Sequence, residues 1–143
     1  MIQLPKTLSR NGWTPGHLLA AVFMVLLGIV VTWDAWTDIA RMMWGQEEFK
    51  HMLLVIPVAM WLGWVRRARL RLCRPTGQLL GVVMIAFGWG ISSLGYYNGI
   101  EAFWHLGSLM IVLGCFTTVV GAEVIAYFLP SFVALLFLIP APG

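Results

Sequence analysis

This sequence predicts an all-α, polytopic membrane protein of about five transmembrane helices, and three observations predict it. Of the 143 residues 60% are hydrophobic and 10% charged, and the mean hydropathy is +0.86, which is more apolar surface than a soluble domain of this size needs. The apolar residues are gathered into runs of the length a helix needs to cross a bilayer, about 20 residues. Between two of those runs lie Arg66, Arg67, Arg69, Arg71 and Arg74, five of the nine basic residues.

The arginine cluster sets orientation. An arginine at mid-bilayer costs about 2.5 to 3.5 kcal/mol on insertion scales, so five together stay on the cytoplasmic side and pin the topology. Near a membrane surface each also attracts anionic lipid by about 1 kcal/mol. The pI near 9.2 comes from this cluster with Lys6 and Arg10. The basic balance therefore points to membrane orientation and away from nucleic acid. The two cysteines, Cys73 in the basic loop and Cys115 in an apolar run, make no disulfide framework; Cys115 reads as a small packing residue.

The first span covers residues 17 to 33. It follows Lys6 and Arg10 as a signal peptide would, but Thr32-Trp33-Asp34-Ala35-Trp36 offers no small-x-small cleavage site, so it is expected to be retained. In residues 33 to 50, Trp33, Trp36, Ala40 and Met43 recur at three- and four-residue spacing, with Asp34, Asp38 and Arg41 opposite. That pattern predicts an amphipathic helix in the outer interface; a plain loop with headgroup-depth tryptophans fits the same residues.

The second span, residues 51 to 65, is short and carries Pro57, which deprives the carbonyl of Leu53 of its helical partner. Spans three (77 to 97) and four (103 to 121) share the clearest internal pattern. Gly81, Gly88 and Gly95 fall seven apart, as do Gly107, Gly114 and Gly121, and the segments align at an offset of 26. Glycine rows open a groove along a helix and let another backbone come close. They predict a tight hairpin turning at residues 97 to 101. A fifth span covers 124 to 139 and contains Pro130. Counted from a cytoplasmic N-terminus, the alternation puts the arginines inside and the C-terminus outside, in agreement with the charge rule. The chain reads as one transmembrane domain, 1–143.

The polar residues able to carry chemistry are His51, His105, Glu101, Asp34, Asp38, Glu47 and Glu48, all near the outer face in this topology. His51 and His105 suggest a haem or metal between helices two and four, though interfacial histidines that only hydrogen-bond are commoner. Glu123 reads as a loop charge. There is no Gly-rich phosphate loop, Cys/His metal pattern or nucleophile-plus-base spacing, so no cofactor and no catalytic residue is assigned.

Several segments nevertheless form a recognisable series. They are Phe49-Lys50-His51-Met52-Leu53-Leu54-Val55-Ile56-Pro57, Trp61-Leu62-x-Trp64-x-Arg66-Arg67, Leu79-Leu80-Gly81, and Phe128-Leu129-Pro130-x-Phe132 through Pro140-Ala141-Pro142. Together they resemble the N-terminal half of an exosortase. Gly95-Tyr96-Tyr97-Asn98-Gly99 and Trp104-His105-Leu106-Gly107 are similar to the U-type branch. The resemblance implies a polytopic protein of the bacterial inner membrane, of a family regarded as cysteine transpeptidases. Its substrates would carry a C-terminal sorting signal, made of a short motif, a transmembrane helix and a basic tail, and be cut and transferred during export.

The family's usual Ser-His-Gly stands here as Lys50-His51-Met52. Its Cys, Arg and His catalytic set is expected beyond Pro142, so the chain reads as truncated before it. On this reading Gly81, Gly88, Gly95, Gly107 and Gly114 would dock the substrate's helix, and the partners are the bilayer, that helix, and a missing C-terminal half or an oligomer partner. The alternatives from other classes are a non-enzymatic membrane scaffold subunit and a haem-binding anchor.

Overall fold

The computed structural model describes residues 14–45, 47, 50–72, 79–137 and 139. Among them the chain is helical throughout, without a strand. The order is α1 (Pro15–Val31), α2 (Trp33–Gly45), α3 (Met52–Val65), a 3-10 helix (Arg67–Leu72), α4 (Leu79–Asn98), α5 (Glu101–Val120), α6 (Ala122–Tyr127) and α7 (Leu129–Leu136).

Proline at its first position starts α1, where a missing N–H costs nothing; Thr14 Oγ1 lies 2.7 Å from His17 Nδ1 beside it. The helix stops at Thr32, whose hydroxyl donates to Gly28 O at 2.7 Å and accepts from Trp36 Nε1 at 2.9 Å. A polar residue that satisfies the end of one helix and receives a donor from the next makes a defined elbow. The chain bends by 81° there, and α2 leaves at a steep angle to α1.

The amphipathic helix expected after the first span is present as α2, and the side it buries against the protein is a neighbouring stripe that shares only Met43 with the expected apolar face. Ala35, Ile39 and Met43 are buried, forming an i, i+4, i+8 stripe that packs with Met52 and Val55 of α3. Trp33, expected on the apolar face at headgroup depth, is exposed. Asp38, expected on the polar face, is turned toward α5.

α4 and α5 are each 20 residues long and apolar enough to cross a membrane; the bent pair α1 and α2 qualifies together as a third span, and α3 is a shorter apolar helix. Fourteen residues of α3 reach about 21 Å at 1.5 Å each. Buried residues make up 56% of the apolar window of α5 against 17% in α4, which makes α5 the central helix. α4 and α1 both lie on it, while α7 packs on α3. Most of the large apolar side chains on α1, α3 and α4 face outward, as a lipid solvent requires.

The fifth span is not one helix. It divides into α6 and α7 at Phe128 (φ −108°, ψ 19°), with Pro130 in the first turn of α7. A proline ring clashes with the carbonyl four residues back and removes an N–H, so the helix ends and restarts. α6 itself follows Gly121 (φ 95°, ψ 163°), a conformation essentially confined to glycine.

Candidate functional site

Among the described residues four polar side chains are buried in this apolar bundle: His105, Ser108, Thr117 and Ser131. Ser108 Oγ donates to Trp104 O at 2.9 Å and Thr117 Oγ1 to Leu113 O at 2.7 Å. Both are thus satisfied within their own helix. The other two are not, since His105 Nδ1 and Ser131 Oγ have no hydrogen-bond partner. An unsatisfied buried polar atom costs about 1 to 3 kcal/mol, so these two positions call for an explanation.

His105 is fully buried in the second turn of α5, and its Nε2 lies 3.1 Å from Asp38 Oδ2. With Asp38 as a carboxylate, which only accepts, Nε2 carries the hydrogen. Nδ1 is left as a lone pair or, in the charged ring, as a second donor. The imidazole centroid is 5.0 Å from that of Trp104, and Trp104 meets Tyr96 edge to face at 6.1 Å. Beside this cluster, at the α1–α2 elbow, a cleft of about 360 Å³ is lined by polar groups that include Thr32, Asp34, Ser92, Ser93 and Ser108.

A second cavity, about 480 Å³, runs between α1 on one side and α3 and α7 on the other, with the end of α5 between them. It is apolar for almost its whole length, through Leu18, Val22, Leu26, Phe116 and Phe132, and Ser131 is in its wall.

The five hairpin glycines lie where α4 and α5 cross. A methyl at Gly88 would come within 2.8 Å of Gly107 O, and one at Gly114 within 2.9 Å of Gly81 O. Gly95 faces Trp104 and Gly107 faces Ser92 at still closer range. The turn falls at Gly99 (φ 68°) and Ile100, with Ile100 N–H donating to Gly95 O at 2.9 Å. Each glycine's open side is therefore filled by the sister helix. What these glycines directly hold is the hairpin, which leaves no vacant groove along them for an incoming helix.

Of the arginines, Arg66 caps α3 and donates from Nη1 to Tyr127 O at 3.4 Å. Arg67 lies over the Trp64 ring at 4.3 Å and donates to Trp64 O at 3.0 Å. Arg69 is exposed in the 3-10 helix. Arg71 lies in the same helix, and Arg74 and Cys73 lie outside the described residues.

The remaining candidates scatter. His51 is exposed at the start of α3, whereas His105 is buried with Nε2 engaged by Asp38. The two are not presented as a ligand pair, and among the described residues no three His, Cys, Asp or Glu side chains gather as a metal site. Glu101 and Glu123 are exposed in the first turns of α5 and α6, favourable places for an acid. Glu47 pairs with Lys50 at the surface, and Glu48 lies outside the described residues. Cys115 is buried where α1 meets α5, the packing role expected of it.

Three residues had no structural role assigned from the sequence. Gly28 brings α1 against α5, where an added methyl would be 3.3 Å from Val112 Cα and from Cys115 Sγ. Thr32 shapes the elbow, and Ser131 carries the unsatisfied hydroxyl. The polar signal of Thr32 and Ser131 in apolar surroundings was visible, but their partners were not.

Apolar helices around a central α5, arginines at the end of α3 and a buried histidine engaged by a part-exposed aspartate together define a helical membrane protein. The chain belongs to the transmembrane exosortase family, whose model matches residues 43–143. The match takes in the hairpin, α3, α6 and α7, and begins after Asp38. No curated protein and no solved structure matches the chain.

Proposed function

We propose that the chain is the membrane-embedded part of an exosortase-type cysteine transpeptidase of the bacterial inner membrane. It acts there on proteins that carry a C-terminal sorting signal during their export. The observation that carries this reading is the family match over residues 43–143.

The N-terminus lies in the cytoplasm and five crossings bring the C-terminus outside, an arrangement supported by the arginines between α3 and α4. In that orientation the α1–α2 elbow, Asp38 and His105 lie toward the outer face, and the polar cleft beside them borders the place where a sorting signal emerges. The hairpin glycines contribute by fixing the shape of α4 and α5, whose outer faces receive the substrate's helix. Cleavage itself requires a thiolate with a base and an oxyanion donor in reach. Cys115, buried where α1 meets α5, does not provide that thiolate; the exosortase resemblance implies a Cys, Arg and His set for that role.

The test is to express the complete reading frame that contains this chain with an exported reporter ending in a sorting signal. Shortening of the reporter that depends on the signal is the expected result. A reporter that stays intact beside stable, membrane-inserted protein would sink the enzyme reading in favour of a scaffold subunit.

A further inference from the structure

The cleft at the α1–α2 elbow selects by charge. Its volume of about 360 Å³ lies at the lower end of small-molecule sites, about 300 to 1,000 Å³. Ala35, Ser108 and Ile111, all buried, form its floor. Ser92 and Ser93 of α4 stand half-buried in one wall, and Asp34 is exposed at the rim. No lysine, arginine or histidine is among the described residues that line it, so an anion would find no counter-charge there.

Asp34 is the one ionised group of the lining. Among the described residues its carboxylate has no cationic partner, whereas Asp38, one turn on, is taken up by His105. The amides in the first turn of α2 offset part of that charge, so the carboxylate alone is a weak attractant. The aromatic side chains add to it. Trp89, Tyr96 and Tyr97 are exposed at the same rim and Trp104 is half-buried behind them. Tyr96 meets Tyr97 at 5.9 Å with the rings at 80°, and Trp104 at 6.1 Å with the rings at 62°. Rings at such angles form the corner of a box rather than a stack, and each ring face is electron-rich.

We infer that this cleft binds an organic ammonium ion. The cation sits at the rim against Trp89 and the tyrosine corner, since ring quadrupoles attract a cation within about 6 Å of the centroid. Asp34 balances its charge, and its alkyl groups rest on Ala35 and Ile111. The hydroxyls of Ser92 and Ser93 accept from any N–H or O–H that the ligand carries. Tryptophan and tyrosine at a membrane interface also form a belt, but a belt calls for neither an unpaired carboxylate nor a hydroxyl-lined cleft behind it. The inference stands whether or not the chain takes part in cleavage.

The experiment is ligand-observed NMR titration of the whole chain in maltoside micelles, with choline and with its neutral carbon isostere 3,3-dimethylbutan-1-ol. Choline should bind saturably with a Kd on the order of 1 mM, as suits a ligand of that size, and the isostere at least about tenfold more weakly. Trp89→Ala should weaken choline about fivefold and Asp34→Asn about threefold. Trp44→Ala removes a tryptophan that is as exposed but lies outside the cleft, and should change nothing.

Equal binding of choline and its isostere overturns the proposal, because the cleft would then take apolar groups without regard to charge. So does an equal loss in Trp89→Ala and Trp44→Ala, which is association with the aromatic belt, and so does the absence of saturation. Should a variant lose its helical circular dichroism, the comparison of the two ligands on the wild type still decides. Glycerophosphocholine separates the sources of the ammonium group: binding equal to that of choline supports a lipid headgroup, and weaker binding supports an amine without a phosphate.

Discussion

The Nε2 of His105 stands 3.1 Å from Oδ2 of Asp38 and ties α2 to α5 across 67 positions of sequence. His105 belongs to the part of the chain that matches the exosortase family and Asp38 to the part before it, so this contact docks the elbow helix on the family's hairpin. The imidazole is fully buried and the carboxylate about one-third exposed. The pair therefore has one end in a low-dielectric setting and one near water.

Removing either partner strands the other. Asp38→Ala leaves a buried imidazole with neither nitrogen bonded, at a cost of about 1 to 3 kcal/mol. Asp38→Asn keeps an acceptor for Nε2–H and should recover most of that loss. Reversible unfolding in mixed micelles, followed by circular dichroism, checks both. Equal stability of Asp38→Ala and wild type would mean that the contact contributes nothing.

The hairpin makes a sharper prediction, because α4 contains its own control. Gly88 faces the backbone of α5, whereas Gly90, two residues on, has nothing within 4 Å. Gly88→Leu must push the helices apart and should cost about 1 to 3 kcal/mol or more. Gly90→Leu should be neutral or slightly favourable, since glycine is a poor helix former. Thermal denaturation in detergent separates the two. Similar melting temperatures for the pair would show that α4 and α5 do not cross at their glycines.

How much of this was legible depends on the range of each signal. The hairpin was, because Gly81, Gly88 and Gly95 recur at the period that brings them to one helix face, and the row implies a close neighbour whichever it is. That the neighbour is the sister helix follows only from the short turn at Gly99. The elbow was half legible. The period of α2 was visible, but its rotation was set by Met52 and Val55 of α3, and no local pattern says that Ala35 rather than Trp33 will face them. The break at Phe128 had its cause in plain view at Pro130, yet a proline in an apolar run also reads as a tolerated kink, as Pro57 is in α3. The His105–Asp38 pair and the state of Ser131 were beyond reach, because each depends on a contact from a distant helix.

Gly28 and Cys115 offer a chemical readout of α1 docking. Thiol reactivity follows exposure, and Cys115 is buried against α5's neighbour at Gly28. In a Cys73→Ser background the wild-type protein should resist maleimide until it is unfolded. Gly28→Leu, which forces α1 off Val112, should label in the folded state and lose about 1 to 3 kcal/mol of stability. Rapid labelling of the parent would place Cys115 outside the interface.

Gly99 and Gly121, the two glycines with positive φ among the described residues, should respond differently to asparagine. At Gly99 φ is 68° and nothing lies within 4 Å, so the left-handed conformation is one that asparagine tolerates. At Gly121 φ is 95° with ψ 163°, a region that side chains with a Cβ avoid at a cost of about 1 to 3 kcal/mol. Gly121 also sets the angle between α5 and α6, and through α6 it positions Val124 and Phe128 against Ala21. Gly99→Asn should therefore melt with the wild type, while Gly121→Asn should melt lower and loosen α1. Combining Gly121→Asn with Cys73→Ser tests that coupling, because maleimide labelling at Cys115 should rise if α1 has moved and stay blocked if the strain is absorbed locally in α6.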